Sequence, residues 1–260
     1  MATNPATGTP AGLNKNVNQV VVFGDTHMNI PAFTQVVLYA ISIGASGLIS
    51  VGDFGYLPAT EEGRTFLAEV IRLTALHQLW LVVVDGNHDD LPALRALPLD
   101  TTGMGVVSEF VRYAGRGLHW NLSGVEFLAA GGATSIDAAR RNQGIDWFPE
   151  ENISFADTNR CIDAGPADVV ISHESPDGVE LKFGPKSSDL TSQANRAALR
   201  AIVEAVQPKL LIHGHHHRRA TSTLVLASGS TLRVEGLGRD GSGEDLYLVL
   251  DLTGRGLYGL

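Results

Sequence analysis

The sequence predicts an α/β protein built on a largely parallel sheet, with a second sheet facing it. Three observations predict this class. A short apolar run, a polar motif and a helical pattern follow one another three times within the first ~95 residues, the alternation expected of parallel strands with covering helices. Two more apolar runs, Val169–Ser172 and Leu210–Ile212, each lead into a histidine-containing motif. The last forty residues alternate turns with three further strand-like runs.

Gln19–Phe23 is β-branched and apolar and reads as a buried strand. It ends at Gly24, and Pro31 then opens a helical pattern that Gly44 closes. Leu48–Val51 is the second strand, tipped by Gly52-Asp53. Thr60, followed by Glu61 and Glu62, starts a helix running to about His77, since anionic residues complement its dipole. Leu79–Val84 is the third strand and leads into Asp85-Gly86-Asn87-His88-Asp89. Val106–Arg112 and Val125–Ala130 read as strands, the second broken by Gly131-Gly132, and Pro149-Glu150-Glu151 begins a short helix. Residues 174–188 are expected to be a loop, and Ser188 or Asp189 to cap a helix ending near Val206. Thr223–Leu226, Leu232–Glu235 and Leu246–Leu250 are expected at an antiparallel edge of the second sheet.

The chain has 260 residues, 44% hydrophobic and 18% charged, which is ordinary for a globular protein with a sizeable core. Residues 1–16 are small and polar and are expected to form a mobile tail, with residues 17–260 as one domain. They lack the apolar stretch of a signal peptide, and Cys161 is the sole cysteine, so a reducing, cytoplasmic setting is expected. No apolar run approaches the ~18 residues of a membrane helix, so no membrane partner is expected. The formal charge of −9 argues against a long nucleic acid partner gripped through its phosphates. Any attraction for phosphate then needs a local source, such as bound metal.

Five polar tips collect the groups that could do chemistry: Asp25-Thr26-His27, Gly52-Asp53, Asn87-His88-Asp89, His173 and His215-His216-His217. Asp25, His27, Asp53, Asn87, His173, His215 and His217 offer carboxylate, amide and imidazole ligands without thiolate, a set that suits Mn²⁺, Fe or Zn²⁺. Seven ligands exceed what one ion with open positions needs and suit two ions sharing a carboxylate. Two such ions clamp the attacking and leaving oxygens of a phosphoryl displacement and activate a bridging water. His88, adjacent to a ligand, is free to protonate the leaving alkoxide, and Asp89 could hold its ring. In each of the pairs Asp25/His27 and His215/His217, i and i+2 point the same way if the segment is extended. Glycines 24, 52, 86 and 214 let the chain turn sharply before the ligands.

In this order the motifs resemble those of the calcineurin-like metallophosphoesterases: D-x-H, GD, GNH(D/E), a lone H and GHxH, here spanning residues 24–217. The resemblance implies a four-layer α/β/β/α sandwich of two mixed sheets flanked by helices. It implies Asp25, His27 and His217 on a first metal, Asn87, His173 and His215 on a second, Asp53 bridging, and His88 beside the substrate phosphate. Protein Ser/Thr phosphatases of the superfamily carry GDxxDRG and RGNHE. Here Gly52-Asp53-Phe54-Gly55-Tyr56-Leu57 and Asp85-Gly86-Asn87-His88-Asp89 stand instead, which counts against a protein substrate. Gly131–Asp137 with Arg141, and Trp147–Glu151, resemble a segment of small bacterial and phage members.

These features predict a dimetal phosphoesterase acting on small phosphate esters by attack of a metal-bridged hydroxide. The preferred substrates are phosphodiesters such as cyclic nucleotides, with Mn²⁺ preferred over Fe or Zn²⁺. Phosphomonoesters, nucleotide polyphosphates and a non-catalytic scaffold with this fold are the alternatives. Arg141 could reach a substrate phosphate or pair with Asp137, and His213 could contact substrate or support a ligand. Trp147 and Phe148 could stack on a base or belong to the core.

Overall fold

Alternate side chains of a strand face opposite sides of its sheet, and this chain buries both sides. The computed structural model describes residues 17–180 and 190–253. The tail expected over residues 1–16, the expected cap at Ser188 or Asp189 and most of the expected 174–188 loop lie outside the described residues. In β1 (Gln19–Phe23), Val20 and Val22 enter one apolar layer while Val21 and Phe23 enter another. The same split recurs in β2 (Gly47–Ser50), between Ile49 and Leu48, and in β3 (Trp80–Val83), between Val82 and Leu81. Strands buried on both faces therefore appear in sequence as unbroken apolar runs rather than alternating ones.

The remaining strands are β4 (Gly105–Val106), β5 (Val111–Tyr113), β6 (His119–Leu122), β7 (Val125–Ala130), β8 (Val169–Ser172), β9 (Leu210–His213), β10 (Ala220–Val225), β11 (Thr231–Gly236) and β12 (Tyr247–Asp251). They form two six-stranded sheets, ordered β12-β1-β2-β3-β5-β4 and β10-β11-β9-β8-β7-β6. In each sheet four central strands run parallel and both edge strands antiparallel. Helices α1 (Ile30–Ser42) and α2 (Glu61–His77) cover the first sheet with Phe33, Val36, Phe66 and Val70. Short α3 (Leu91–Arg95) follows the third strand. Helices α4 (Phe155–Asp163) and α5 (Leu190–Val206) cover the second sheet with Cys161, Leu199, Ile202 and Val203. The layer between the sheets holds Val22, Ile49, Val82, Trp120, Phe127, Ile171 and Ile212. Three apolar layers separate helices, sheet, sheet and helices: a four-layer α/β/β/α sandwich.

Helix starts follow local chemistry. The Asn29 side chain accepts the Ala32 N–H before α1, and Thr60 accepts that of Gly63 before α2. Ser154 and Asp157 form a reciprocal capping box that starts α4, a helix the sequence reading missed; Pro149–Glu151 is only a 3₁₀ turn ahead of it. Two strand assignments also change. Val106–Arg112 is not one strand but the hairpin of β4 and β5, closed by the Val107 N–H donating to the Val111 carbonyl. The run at Leu246–Leu250 does not join the second sheet; it becomes β12 and returns antiparallel beside β1. No described helix is long and apolar enough to cross a membrane.

Candidate metal centre

Strands β1, β2, β3, β8 and β9 all end at one place, the carboxyl side of both sheets, where α/β sheets build their sites. Ligand atoms of Asp25, His27, Asp53 and His217 lie within 4.8 Å of one another, and so do those of Asp53, His173 and His215. Asn87 Oδ1 lies 3.1 Å from His173 Nε2 and joins the second group. The structure thus brings the seven expected ligands into two adjoining groups that share Asp53, the layout of a dinuclear metal site.

The chain reaches this arrangement through tight left-handed turns, not extended segments. His27 (φ 45°), Asp53 (φ 47°), His215 (φ 63°) and His217 (φ 56°) all have positive φ. For non-glycine residues each such conformation costs about 1–3 kcal/mol, and it persists where surrounding contacts impose it. The pairs Asp25/His27 and His215/His217 therefore do not share a face through extended i, i+2 geometry, as expected from their spacing, but through these turns. The glycines serve mainly close approach. A Cβ at Gly52 (φ 108°) would stand 2.5 Å from His173 Nδ1, one at Gly86 would strike the Asp53 amide, and one at Gly214 would strike Asp25 Oδ1.

The side chains fit metal ions. His27 Nε2 and His217 Nε2 are 3.1 Å apart, and His217 Nε2 is 3.1 Å from Asp25 Oδ2, spacings that suit ligands sharing one cation at bonds of about 2.0–2.2 Å. His173 Nδ1 donates to the Val51 carbonyl at 2.9 Å, which leaves Nε2 to face Asp53 Oδ1 (3.1 Å) and Asn87 Oδ1. Asn87 Nδ2 donates to Ser135 Oγ at 3.0 Å, so its carbonyl oxygen is the atom turned to the centre. Ser135 is itself fixed, donating to Glu151 Oε2 at 2.6 Å and accepting from Arg141 Nη1 at 2.8 Å. Burial opposes ionisation of both Asp53 and His173, but their mutual attraction outweighs it. Asp53 is held well below the carboxylate range and His173 is pushed up to about 10.

His88 is half-buried beside this cluster. Its backbone N–H donates to Asp53 Oδ1 at 2.8 Å, and its ring meets that of His27 edge-on, with centroids 5.0 Å apart. Burial lowers its pKa, helped by Arg141 and His27 and opposed by Asp53. Asp89 does not hold the His88 ring. Its carboxylate accepts the N–H groups of Gly55 (2.8 Å), Tyr56 (2.8 Å) and Gly86 (2.9 Å), tying the Asp53 loop to the Asn87 loop. Arg141 sits against the Asn87 loop: Nη1 also donates to the Asn87 carbonyl at 3.3 Å, and Asp137 lies 3.7 Å away. His213 is buried, bonded through Nδ1 to the Gly214 carbonyl and packed edge-on against His216, so it supports the loop rather than facing solvent. Phe148 is buried and Trp147 partly buried.

Three supports had no role assigned to them from the sequence. Ser135 and Glu151 orient Asn87 from the stretches Gly131–Asp137 and Trp147–Glu151, which the sequence set apart without giving either residue a task. Arg116 lies behind the Asn87 loop, bonded to Asp85 (2.8 Å), Asp157 (3.1 Å) and the carbonyls of Glu151 and Asn152 (both 2.8 Å).

The chain also resembles known proteins. No curated protein matches it. Among solved structures, TT1561 of Thermus thermophilus superposes with a TM-score of 0.56 at 17% identity, covering 94% of this chain and 98% of the other. A dimetal phosphatase from Danio rerio superposes with a TM-score of 0.52 at 12% identity, covering 90% and 92%. At these identities the likeness is one of fold. The model of the calcineurin-like phosphoesterases matches residues 19–219, a stretch that begins at β1 and takes in every ligand of both groups, and to that family the chain belongs.

Proposed function

We propose that this chain hydrolyses small phosphodiesters, cyclic nucleotides among them, with two Mn²⁺ ions, or Fe or Zn²⁺ in their place. The observation that carries the diester reading is the thin cationic lining beside His88 among the described residues. Among the described residues Arg141 is the guanidinium that acts on His88, and its Nη1 is already engaged by Asn87 and Ser135. Where the protein phosphatase motif has arginine before its glycine, this chain has Asp85, turned inward onto Arg116 and Tyr113. A phosphomonoester carries more negative charge than a diester and calls for more such donors.

Asp25, His27 and His217 would hold one ion, Asn87, His173 and His215 the other, and Asp53 would lie between them. Bound there, the ions supply Lewis-acid activation of water and of the phosphoryl group. The chain supplies the rest. His88, fixed through its own N–H and the His27 ring, delivers a proton to the departing alkoxide. Arg141 steadies the wall against which the ester lies and offers its remaining N–H groups to a phosphoryl oxygen. Asp89 keeps the two loops in register.

With Mn²⁺ present, a bis-aryl phosphate is expected to show a higher kcat/KM than the mono-aryl analogue. The reverse preference overturns the diester reading. His88→Ala is expected to lower kcat by roughly 10²–10⁴-fold on a substrate with a poor leaving group, and much less on an activated aryl ester. Undiminished turnover of the poor leaving group removes His88 from the reaction.

A further inference from the structure

Glu174 follows His173 directly and is fully buried. Its Oε1 accepts the Ser175 N–H at 2.7 Å and the His216 Nε2–H at 2.8 Å. Its Oε2 has no hydrogen-bond partner among the described residues despite burial, and His215 Nε2 lies 3.6 Å away. A buried carboxylate oxygen with an open lone pair thus stands just beyond hydrogen-bond reach of a ligand ring. His216 cannot easily release it, because its ring is wedged edge-on against His213 (5.6 Å between centroids) and His215 (5.1 Å).

We propose that Glu174 is a positioning residue for the second metal ion: its Oε2 takes the Nε2–H of His215 and turns Nδ1 of that ring to the ion, while His216 fixes the carboxylate. The inference rests on the dinuclear reading above. A metal-bound histidine commonly donates its other N–H to a carboxylate or carbonyl, which sets its tautomer and raises its basicity. Here the two imidazoles of the second group have unlike partners. His173 has the Val51 carbonyl, and His215 has a carboxylate. The middle histidine of His215-His216-His217, which the ligand pattern leaves unassigned, thereby gains a function. The gap to His215 needs only a few tenths of an ångström to become a hydrogen bond of ordinary length.

The test is Glu174→Gln, which keeps the shape and removes the charge, read by metal titration with Mn²⁺ and by the visible spectrum of the Co²⁺-loaded protein. The affinity for one ion should stay near that of the wild type, while affinity for the other falls by roughly 10–100-fold and its Co²⁺ bands shift. Two ions bound with wild-type affinities and an unchanged spectrum overturn the proposal, even if the variant melts earlier. A second measurement needs no variant at position 174. In Zn²⁺-loaded wild-type protein, ¹⁵N-histidine spectra, assigned by comparison with His215→Ala, should show His215 protonated at Nε2. Protonation at Nδ1 overturns the proposal. If the wild type binds fewer than two ions, the dinuclear reading itself fails and this inference falls with it.

Discussion

Asp53 and His173 carry the chemistry of the centre at the scale of single residues. Asp53 Oδ1 faces His173 Nε2 at 3.1 Å, and Oδ2 lies 3.8 Å from His27 Nε2. With His173 pushed up to about 10 and Asp53 held well below the carboxylate range, the pair stabilises the metal-free fold fully below the ordinary histidine value of 6.5, down to the acid pH at which Asp53 takes up a proton. That contribution is lost as pH rises through about 10. Near neutral pH His173 thus keeps a proton that it must give up to become a ligand. Metal titration calorimetry in buffers of different ionisation enthalpy is expected to show about one proton released per chain from this group, with affinity rising with pH through the neutral range. Metal uptake without proton release contradicts the ion-pair assignment. The seven candidate ligands, which the structure brings together, were legible because each lies in a short motif at the end of an apolar run. The direction in which Asp89 turns was not, because a position at a strand tip says nothing about which amides compete for the carboxylate. Ser135 lay in the stretch Gly131–Asp137 that the sequence set apart, but its task was not legible, because it lies 48 residues from the Asn87 it holds.

At the scale of elements, Arg116 binds together parts of the fold that only tertiary structure makes neighbours. Its side chain is 1% exposed and sits between Asp85 (after β3), Asp157 (in α4) and the carbonyls of the 3₁₀ turn. Tyr113 Oη donates to the second oxygen of Asp85 at 2.9 Å, so that carboxylate is fully paired. Removing one member of a buried ion network leaves the others charged and unpaired. Arg116→Ala is therefore expected to destabilise the protein by about 3–5 kcal/mol, measured by urea unfolding, and to lower metal affinity through the Asn87 loop. A loss under about 1 kcal/mol contradicts the network's role. Helices α1 and α2 were legible from Pro31, Thr60 and their apolar periods. Helix α4 could have been found from Ser154 and Asp157, whose spacing is that of a capping box. Strand β6 also had a signal, since Ser123 and Gly124 both take positive φ in the two-residue turn before β7. The hairpin of β4 and β5 had none. Its turn lies within Val107-Ser108-Glu109-Phe110, which lacks the glycine, proline or asparagine that usually betrays a reversal.

At the scale of the whole molecule, two similar sheets face one another, and the loops from both close on one point. The first sheet gives Asp25, His27, Asp53 and Asn87; the second gives His173, His215 and His217. Neither sheet alone holds a complete set for both ions, so the centre exists only when the inter-sheet layer of Val22, Ile49, Trp120 and Ile171 is formed. The sequence showed the parallel strands and the order of the motifs, but not that β12 returns to β1, because an apolar run does not name its partner. Coupling between metal and fold follows, since ligands drawn from both sheets favour the native state in proportion to ion binding. The most direct test is the number of metal ions held per chain by the reconstituted protein and by Asp53→Asn. Two ions in the wild type, with the pair lost in the variant, is the result predicted by a shared Asp53. One ion in the wild type, or two held with undiminished affinity by Asp53→Asn, would contradict it.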